Sequence, residues 1–286
     1  MPFVANVKQQ RHILKKIWHH FNHSQLVKCR FFTTAPSIFS LQNCNLLHHR
    51  RVSSKTQFAE CTQNKSQLFV FHHEWPDDVR MELLQDMIVI ENFVTEREEQ
   101  QLCAEAEKSM KRMRYQYDHW DNAIQGYRER EKLDWSEENA NVIERLRNKA
   151  FTENVIPQVH IIDLAADGII KPHVDSSRYC GNTISGLSLL TDCIMRLKRV
   201  DENEYKQNTL DEDKYGSDET TQNANQKEKR EFNYFADILL RRRSLYIMKD
   251  SARYKFSHEV LPTKSKFLEN EIVKDRRISI ICRNHT

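Results

Sequence analysis

Glycine and proline are scarce in this chain, five and six among 286 residues. The glycines, at 126, 168, 181, 186 and 216, never form G-x-G-x-x-G or a phosphate loop. Nucleotide folds that cradle a phosphate in a glycine-rich turn therefore have no support. No apolar run approaches the roughly 18 residues of a membrane-spanning helix. The seven cysteines (Cys29, Cys44, Cys61, Cys103, Cys180, Cys193 and Cys282) are odd in number, scattered, and never spaced C-x-x-C. That argues against a disulfide framework or a zinc knuckle and fits a reducing compartment. There is no repeat at a fixed period.

Another absence is local. The first 59 residues carry nine Lys or Arg and no acid before Glu60. Leu14, Ile17, Trp18 and Phe21 recur at helical spacing, with Lys8, Arg11 and Lys15 beside them. A basic, acid-free, amphipathic start predicts a mitochondrial transit peptide within residues 1–60. The alternative is a disordered basic arm that binds nucleic acid or a membrane surface. Cleavage falls near Arg30-Phe31-Phe32 or as late as the stretch after Arg50-Arg51. Removing this segment turns a net charge of +3 into 35 basic against 41 acidic residues, a balance of −6. A mature domain so charged has no general attraction to phosphate backbones.

From residue 61 to 286 the texture is that of a folded domain. Met87–Phe93 reads as a strand. Thr95 and Glu98 form a T-x-x-E capping box before a helix whose inward stripe is Leu102, Ala106, Met110 and Met113. Ser136 caps a second helix with Val142, Ile143 and Leu146 inward. Six short strand-like runs come next, at 159–164, 184–190, 194–197, 236–240, 245–248 and 278–282. So many short strands predict a mainly β sandwich or jelly roll with flanking helices. Residues 201–231, with ten acids and five bases, bury too little apolar surface to order and read as a disordered polar insert.

Candidate chemistry lies in the β region. His173-Val174-Asp175 sits where the Ile169-Ile170 stretch runs out, and His258 comes after Phe256 at a similar strand end. Residues i and i+2 of a strand point the same way, so His173 and Asp175 can present two ligands together. Two imidazoles and one carboxylate on one face of a metal leave the other face open, the arrangement of iron(II) oxygenases. Two unrelated hydrogen-bonded histidines are the plain alternative; His72 and His73, after the LFVF run, read as surface residues. On 277–283, alternation puts Arg277, Ser279, Ile281 and Arg283 on one face. The backbones of the two arginines are about 20 Å apart along the strand, a gap that two arginine arms and a small dicarboxylate can bridge. A surface strand with two solvated arginines is the alternative.

K-P-H-V-D-S (171–176), G-L-S-L-L (186–190), S-L-Y-I (244–247), S-A-R-Y with F-S-H-E (251–259) and R-R-I-S-I-I-C-R (276–283) together resemble one family. It is the AlkB family of Fe(II)/2-oxoglutarate dioxygenases, and within it the mitochondrial branch, the seventh AlkB homologue. Y-D-H-W-D (117–121) also resembles that branch, and the likeness spans about 85–286 without the insert. The resemblance implies a double-stranded β-helix, with iron ligands His173, Asp175 and His258. It further implies that Arg277 pairs with the distal carboxylate of 2-oxoglutarate, that Arg283 approaches its chelating end, and that Tyr246 donates a hydroxyl to it. Repair members carry N-x-Y eleven and nine residues before the first metal histidine; here those positions are Ile162 and Leu164. A basic, aromatic lid for a flipped base has no clear counterpart. Tyr115, Tyr117, Trp120 and Tyr127 suit packing better than a substrate wall.

The implied reaction consumes O2 and 2-oxoglutarate and hydroxylates a C–H bond of a protein or small-molecule substrate. Demethylation of mitochondrial RNA is the less favoured alternative, and a non-enzymatic scaffold that keeps the iron site is a third. The resemblance also implies a matrix protein tied to programmed necrosis and fatty-acid metabolism.

Overall fold

The computed structural model describes residues 67–117, 123–201 and 232–286. The expected transit peptide, the polar insert after Asp201, and Trp120 lie outside these residues. The described elements run β1 (Phe69–His72), α1 (Asp77–Asp86), β2 (Met87–Ile90), α2 (Glu96–Met110), β3 (Ile124–Lys132), α3 (Glu137–Ala150) and β4 (Val159–His173). Then come β5 (Thr183–Leu189), β6 (Cys193–Arg199), β7 (Phe235–Leu240), β8 (Ser244–Lys249), α4 (Asp250–Tyr254), β9 (Phe256–Val260), β10 (Ser265–Phe267), β11 (Asn270–Ile272) and β12 (Arg277–Arg283).

The main sheet has the order β1-β7-β6-β9-β4-β12-β5-β8-β2, with β3 also on β4. Every described pairing in it is antiparallel. The 15-residue strand β4 serves two walls. Its first part, Val159–Leu164, lies between β3 and β12, while Ile170 and His173 pair with β9. The sheet thereby curls into two facing halves, the expected double-stranded β-helix or jelly roll.

The curl is permitted by small residues at one place. Between the two walls β4 reads Ala165-Ala166-Asp167-Gly168, and the β3 register shifts opposite it at Gly126. Gly126 holds φ +66°, a conformation that L side chains rarely adopt. A Cβ on Gly168 would come within 2.6 Å of the Gly126 carbonyl oxygen and 2.8 Å of Leu164 Cδ1. Lys274, 3% exposed, ties the bend down by donating to the carbonyls of Ala165 (3.3 Å) and Ala166 (2.8 Å).

Alternation then divides the core. Ile278, Ile280 and Cys282 of β12, with Leu187, Leu189, Leu245 and Ile247, pack outward against Leu102, Ala106, Met110, Val142, Ile143 and Leu146 of α2 and α3. Ile162, Leu164, Tyr246, Met248 and Ile281 face the interior of the roll. The α2 box forms as the sequence predicts: the Glu98 amide donates to Thr95 Oγ1 (3.2 Å) and the Thr95 amide to Glu98 Oε2 (2.8 Å). Ser136 precedes α3 without a capping bond. Its hydroxyl donates to Glu105 Oε2 at 2.8 Å, a charged acceptor that outcompetes the helix's own amides.

Other expectations shift by a few residues. β2 stops at Ile90 because the chain turns at Asn92, where φ is +51°. Met113 lies beyond the end of α2. His72 is not a solvated surface group: it closes β1, stacks on Phe235 at 4.4 Å and meets Asp237 Oδ2 at 2.9 Å.

If the bend depends on absent side chains, Gly168→Ala forces β3 and β4 apart and costs about 1–3 kcal/mol, the range for overpacking. The urea midpoint should fall at unchanged slope; an unshifted midpoint contradicts the steric account.

Candidate metal centre and co-substrate cavity

β4 and β9 run side by side beyond the bend, with Ile170 opposite Val260 and His173 opposite His258. Opposed residues share a face, so both imidazoles enter the roll, their centroids 4.3 Å apart. His258 is thus the third residue of a five-residue strand, not a strand-end residue as its sequence context suggests. Asp175 stands two residues past the end of β4. Its Oδ1 lies 3.9 Å from His173 Nε2 and its Oδ2 3.9 Å from His258 Nε2. Among the described residues, these three form the one group whose metal-ligating atoms all fall within 4.8 Å of one another. Their side chains retain 13–22% exposure, so an ion can reach them.

The protonation states suit a cation. His173 Nδ1 lies 2.9 Å from the Lys171 carbonyl oxygen, an atom that only accepts. Nδ1 therefore carries a proton and donates to that carbonyl, which leaves Nε2 as the atom facing Asp175. Burial, reinforced by His173, Arg253 and Arg283, pulls His258 down to about 3 against the attraction of Asp175, so this imidazole stays neutral. Burial pushes the Asp175 carboxyl up. His258, Arg283, His173 and Arg253 together outweigh it and hold the group below the ordinary carboxylate range. Two imidazoles and one carboxylate fit Fe(II) with an open face.

The inward face continues on the neighbouring strands. On β12 the inward row is Arg277, Ser279, Ile281 and Arg283, with Leu164 and Ile162 of β4 opposite Arg277 and Ser279. Across β5 the same row meets Ser188, Gly186 and Ile184. Arg277, 2% exposed, donates through Nε to Ser188 Oγ at 3.0 Å. Its Nη2, together with Ser279 Oγ, Ser244 Oγ and Arg283 Nε, is buried without a partner among the described residues. Unpartnered buried polar atoms are costly, and these four, two of them on arginines, lie on strands that share one inward face and suit an anion.

Tyr246 stands opposite Gly186 on the neighbouring strand. A Cβ at Gly186 would come within 2.6 Å of the Tyr246 oxygen, so the glycine makes room for the phenol to lie across β5. Burial raises the Tyr246 pKa, with Arg277 opposing, which keeps the hydroxyl a donor. All six residues singled out from the sequence therefore face one interior. The aromatic expectation divides. Tyr127 is 2% exposed core and Tyr115 donates to Asp163, whereas Tyr117 is 60% exposed and is not packing. Arg253 and Lys274 are not evident from the sequence; both sit in polar stretches, and nothing local marks a charged side chain that folds inward.

No protein-family model matches the chain. It is 38% identical to the mouse (Mus musculus) mitochondrial alpha-ketoglutarate-dependent dioxygenase alkB homolog 7 over 205 residues, 71% of this chain and 80% of that protein. The cattle (Bos taurus) protein of that name is 40% identical over 205 residues, with 70% and 80% covered. Among solved structures, a Trichoplax adhaerens prolyl hydroxylase in complex with a hypoxia-inducible-factor peptide aligns at TM-score 0.44 and 8% identity, over 82% of this chain and 94% of that one. OsALKBH1 aligns at TM-score 0.42 and 11% identity, over 76% and 100%. At the identity and coverage shared with the mouse and cattle proteins, the chain belongs to the AlkB family of α-ketoglutarate-dependent dioxygenases, in the branch of AlkB homolog 7.

Proposed function

We propose that His173, Asp175 and His258 hold Fe(II), that Arg277, Arg283 and Tyr246 hold 2-oxoglutarate, and that the enzyme hydroxylates a C–H bond of a protein or small molecule in the mitochondrial matrix. The observation that carries this is the triad on the inward face of the roll together with buried nitrogens of Arg277 and Arg283 that have no partner among the described residues. When bound, the metal supplies oxygen activation coupled to decarboxylation of the keto acid to succinate and CO2. The proposal includes the role in programmed necrosis and fatty-acid metabolism that the family resemblance implies.

The residues contribute binding, orientation and exclusion of water. The Lys171 carbonyl fixes the His173 tautomer. The Arg277 fork receives the distal carboxylate at the deep end, where Leu164 (0% exposed) and Ile162 (7% exposed) keep water out. These two occupy the N-x-Y positions of repair members and offer no hydrogen bond. The protonated Tyr246 hydroxyl, which reaches the same floor from β8, supplies the missing donor. Arg283 lies at the Asp175 end and complements the charge of the chelating group.

RNA is disfavoured by the net charge of −6 expected of the mature domain. Base stacking needs exposed rings; Tyr117 and Tyr179 are exposed, whereas Tyr127 is buried and Tyr115 donates to Asp163.

Succinate release should vanish in His173→Ala; equal turnover by the variant and the wild type contradicts the assignment. Arg277→Gln should weaken 2-oxoglutarate binding by about 3–5 kcal/mol, the usual cost of leaving a buried charge without its partner. Because Arg277 carries an unpartnered nitrogen in the free protein, the ligand-free variant should melt no lower than wild type. An unchanged dissociation constant in calorimetry would place the co-substrate elsewhere. Filter binding of the mature protein to single-stranded RNA should be weak and nearly flat in salt; a steep fall with salt favours the RNA reading.

A further inference from the structure

The three metal ligands are not supported alike. His173 and His258 are register partners in a strand pair, each fixed by the sheet. Asp175 lies past the end of β4 in a segment without strand or helix and has no ladder to hold it. Its neighbour Ser176, however, is the centre of a knot of bonds. The Ser176 carbonyl accepts from Arg253 Nη2 (3.2 Å), from the Cys180 thiol (3.3 Å) and from the Tyr179 amide (3.4 Å). Arg253 Nη2 also lies 3.2 Å from Cys180 Sγ. At the far end of the loop the Gly181 amide donates to the Asn284 carbonyl at 2.8 Å.

Arg253 is the one charged member of this knot, and at 1% exposure it is among the most buried side chains described. Its Nε and Nη1 have no partner among the described residues, so the guanidinium is buried at a cost that the two bonds of Nη2 do not fully offset. It belongs to α4, five residues before His258. That short helix is itself anchored: the Ser251 amide donates to Asp86 Oδ2 (3.0 Å), the Ser251 hydroxyl to Glu82 Oε2 (2.8 Å) and the Asp250 amide to the Asn182 carbonyl (2.9 Å). One anchored segment therefore delivers both His258 and the fork that grips the residue after Asp175.

We propose that Arg253 is a positioning residue for the metal centre: by clamping the Ser176–Cys180 loop it sets the Asp175 carboxylate against the two imidazoles. This role rests on the triad being the metal site. Its effect has a sign that separates it from simple electrostatics. A cation beside the site repels a metal ion, so removing its charge alone should tighten metal binding. Removing the clamp should loosen it, and outer-shell partners of metal ligands typically matter by about 10- to 100-fold.

The test is Mn(II) titration of the metal-free full chain, followed by electron paramagnetic resonance, for wild type, Arg253→Lys, Arg253→Gln and Asp175→Asn. Lys keeps the charge and loses the fork; Gln loses both. The expected result is that both Arg253 variants bind Mn(II) about 10- to 100-fold more weakly, with an altered spectrum even at saturation. A purely stabilising residue would lower the melting temperature and leave the saturated spectrum unchanged. Wild-type affinity, or tighter binding, in the Arg253 variants while Asp175→Asn binds poorly overturns the clamp and leaves the metal site standing. Unchanged binding by Asp175→Asn overturns the site itself. Should Arg253→Gln fail to fold, Arg253→Lys decides; if that variant also lacks a folded circular-dichroism spectrum, Arg253 is a fold determinant and the clamp is overturned.

Discussion

One strand that belongs to two walls is the constraint on which the site depends. Before its bend β4 sets Leu164 opposite Arg277, and after it sets His173 opposite His258. Strand register is strict, because a slip of one residue sends every side chain to the other face. The spacing between the deep cationic end and the triad is thus fixed by how many residues the bend consumes. That explains the crowding of Gly126 against Gly168 and the buried lysine on the Ala165 and Ala166 carbonyls. A looser corner would let the two ends of the cavity drift relative to one another.

The interior carries the cost of the site. Arg253, Arg277 and Lys274 are each at most 3% exposed. Buried Asp163, by contrast, answers Arg128 at 2.8 Å and Arg276 at 2.9 Å on the outer face of the sheet. The Asp163 ion pairs outside the roll are closed, while nitrogens of Arg253, Arg277 and Arg283 inside it have no partner among the described residues. Unpartnered buried cations lower stability, a cost that the proposed anionic co-substrate would offset.

The alternating runs make the jelly roll legible in the sequence, because each strand has one face toward helices or interior and a period of two. The His173–Asp175 pair and the R-x-x-x-x-x-R strand are legible for the same reason. What stays hidden depends on distant chain. β1 has an ordinary apolar pattern, and only its pairing with β7 reveals that His72 meets Asp237. β3 reads Ile124–Lys132 as mostly charged, yet Arg128 is drawn to Asp163, 35 residues away. Ser136 has the sequence context of a cap but bonds Glu105 on the neighbouring helix. Tyr117 is grouped by spacing with Tyr115 and Tyr127 but stands clear of both their environments. Local periodicity reports burial by face and is silent on which partner a polar group finds.

Protonation completes the design. Burial acts on all three titrating groups in the same sense, toward the neutral form, and it prevails at His258 and Tyr246. At Asp175 it is overruled, since Arg283 and Arg253 lie close enough to help keep the carboxylate charged. His258 is thereby held neutral, Asp175 ionised and the Tyr246 phenol protonated. Neither His258 nor Asp175 then carries a proton that a cation would have to displace. The same arginines that help hold Asp175 ionised raise the positive potential beside it, which favours an anion there.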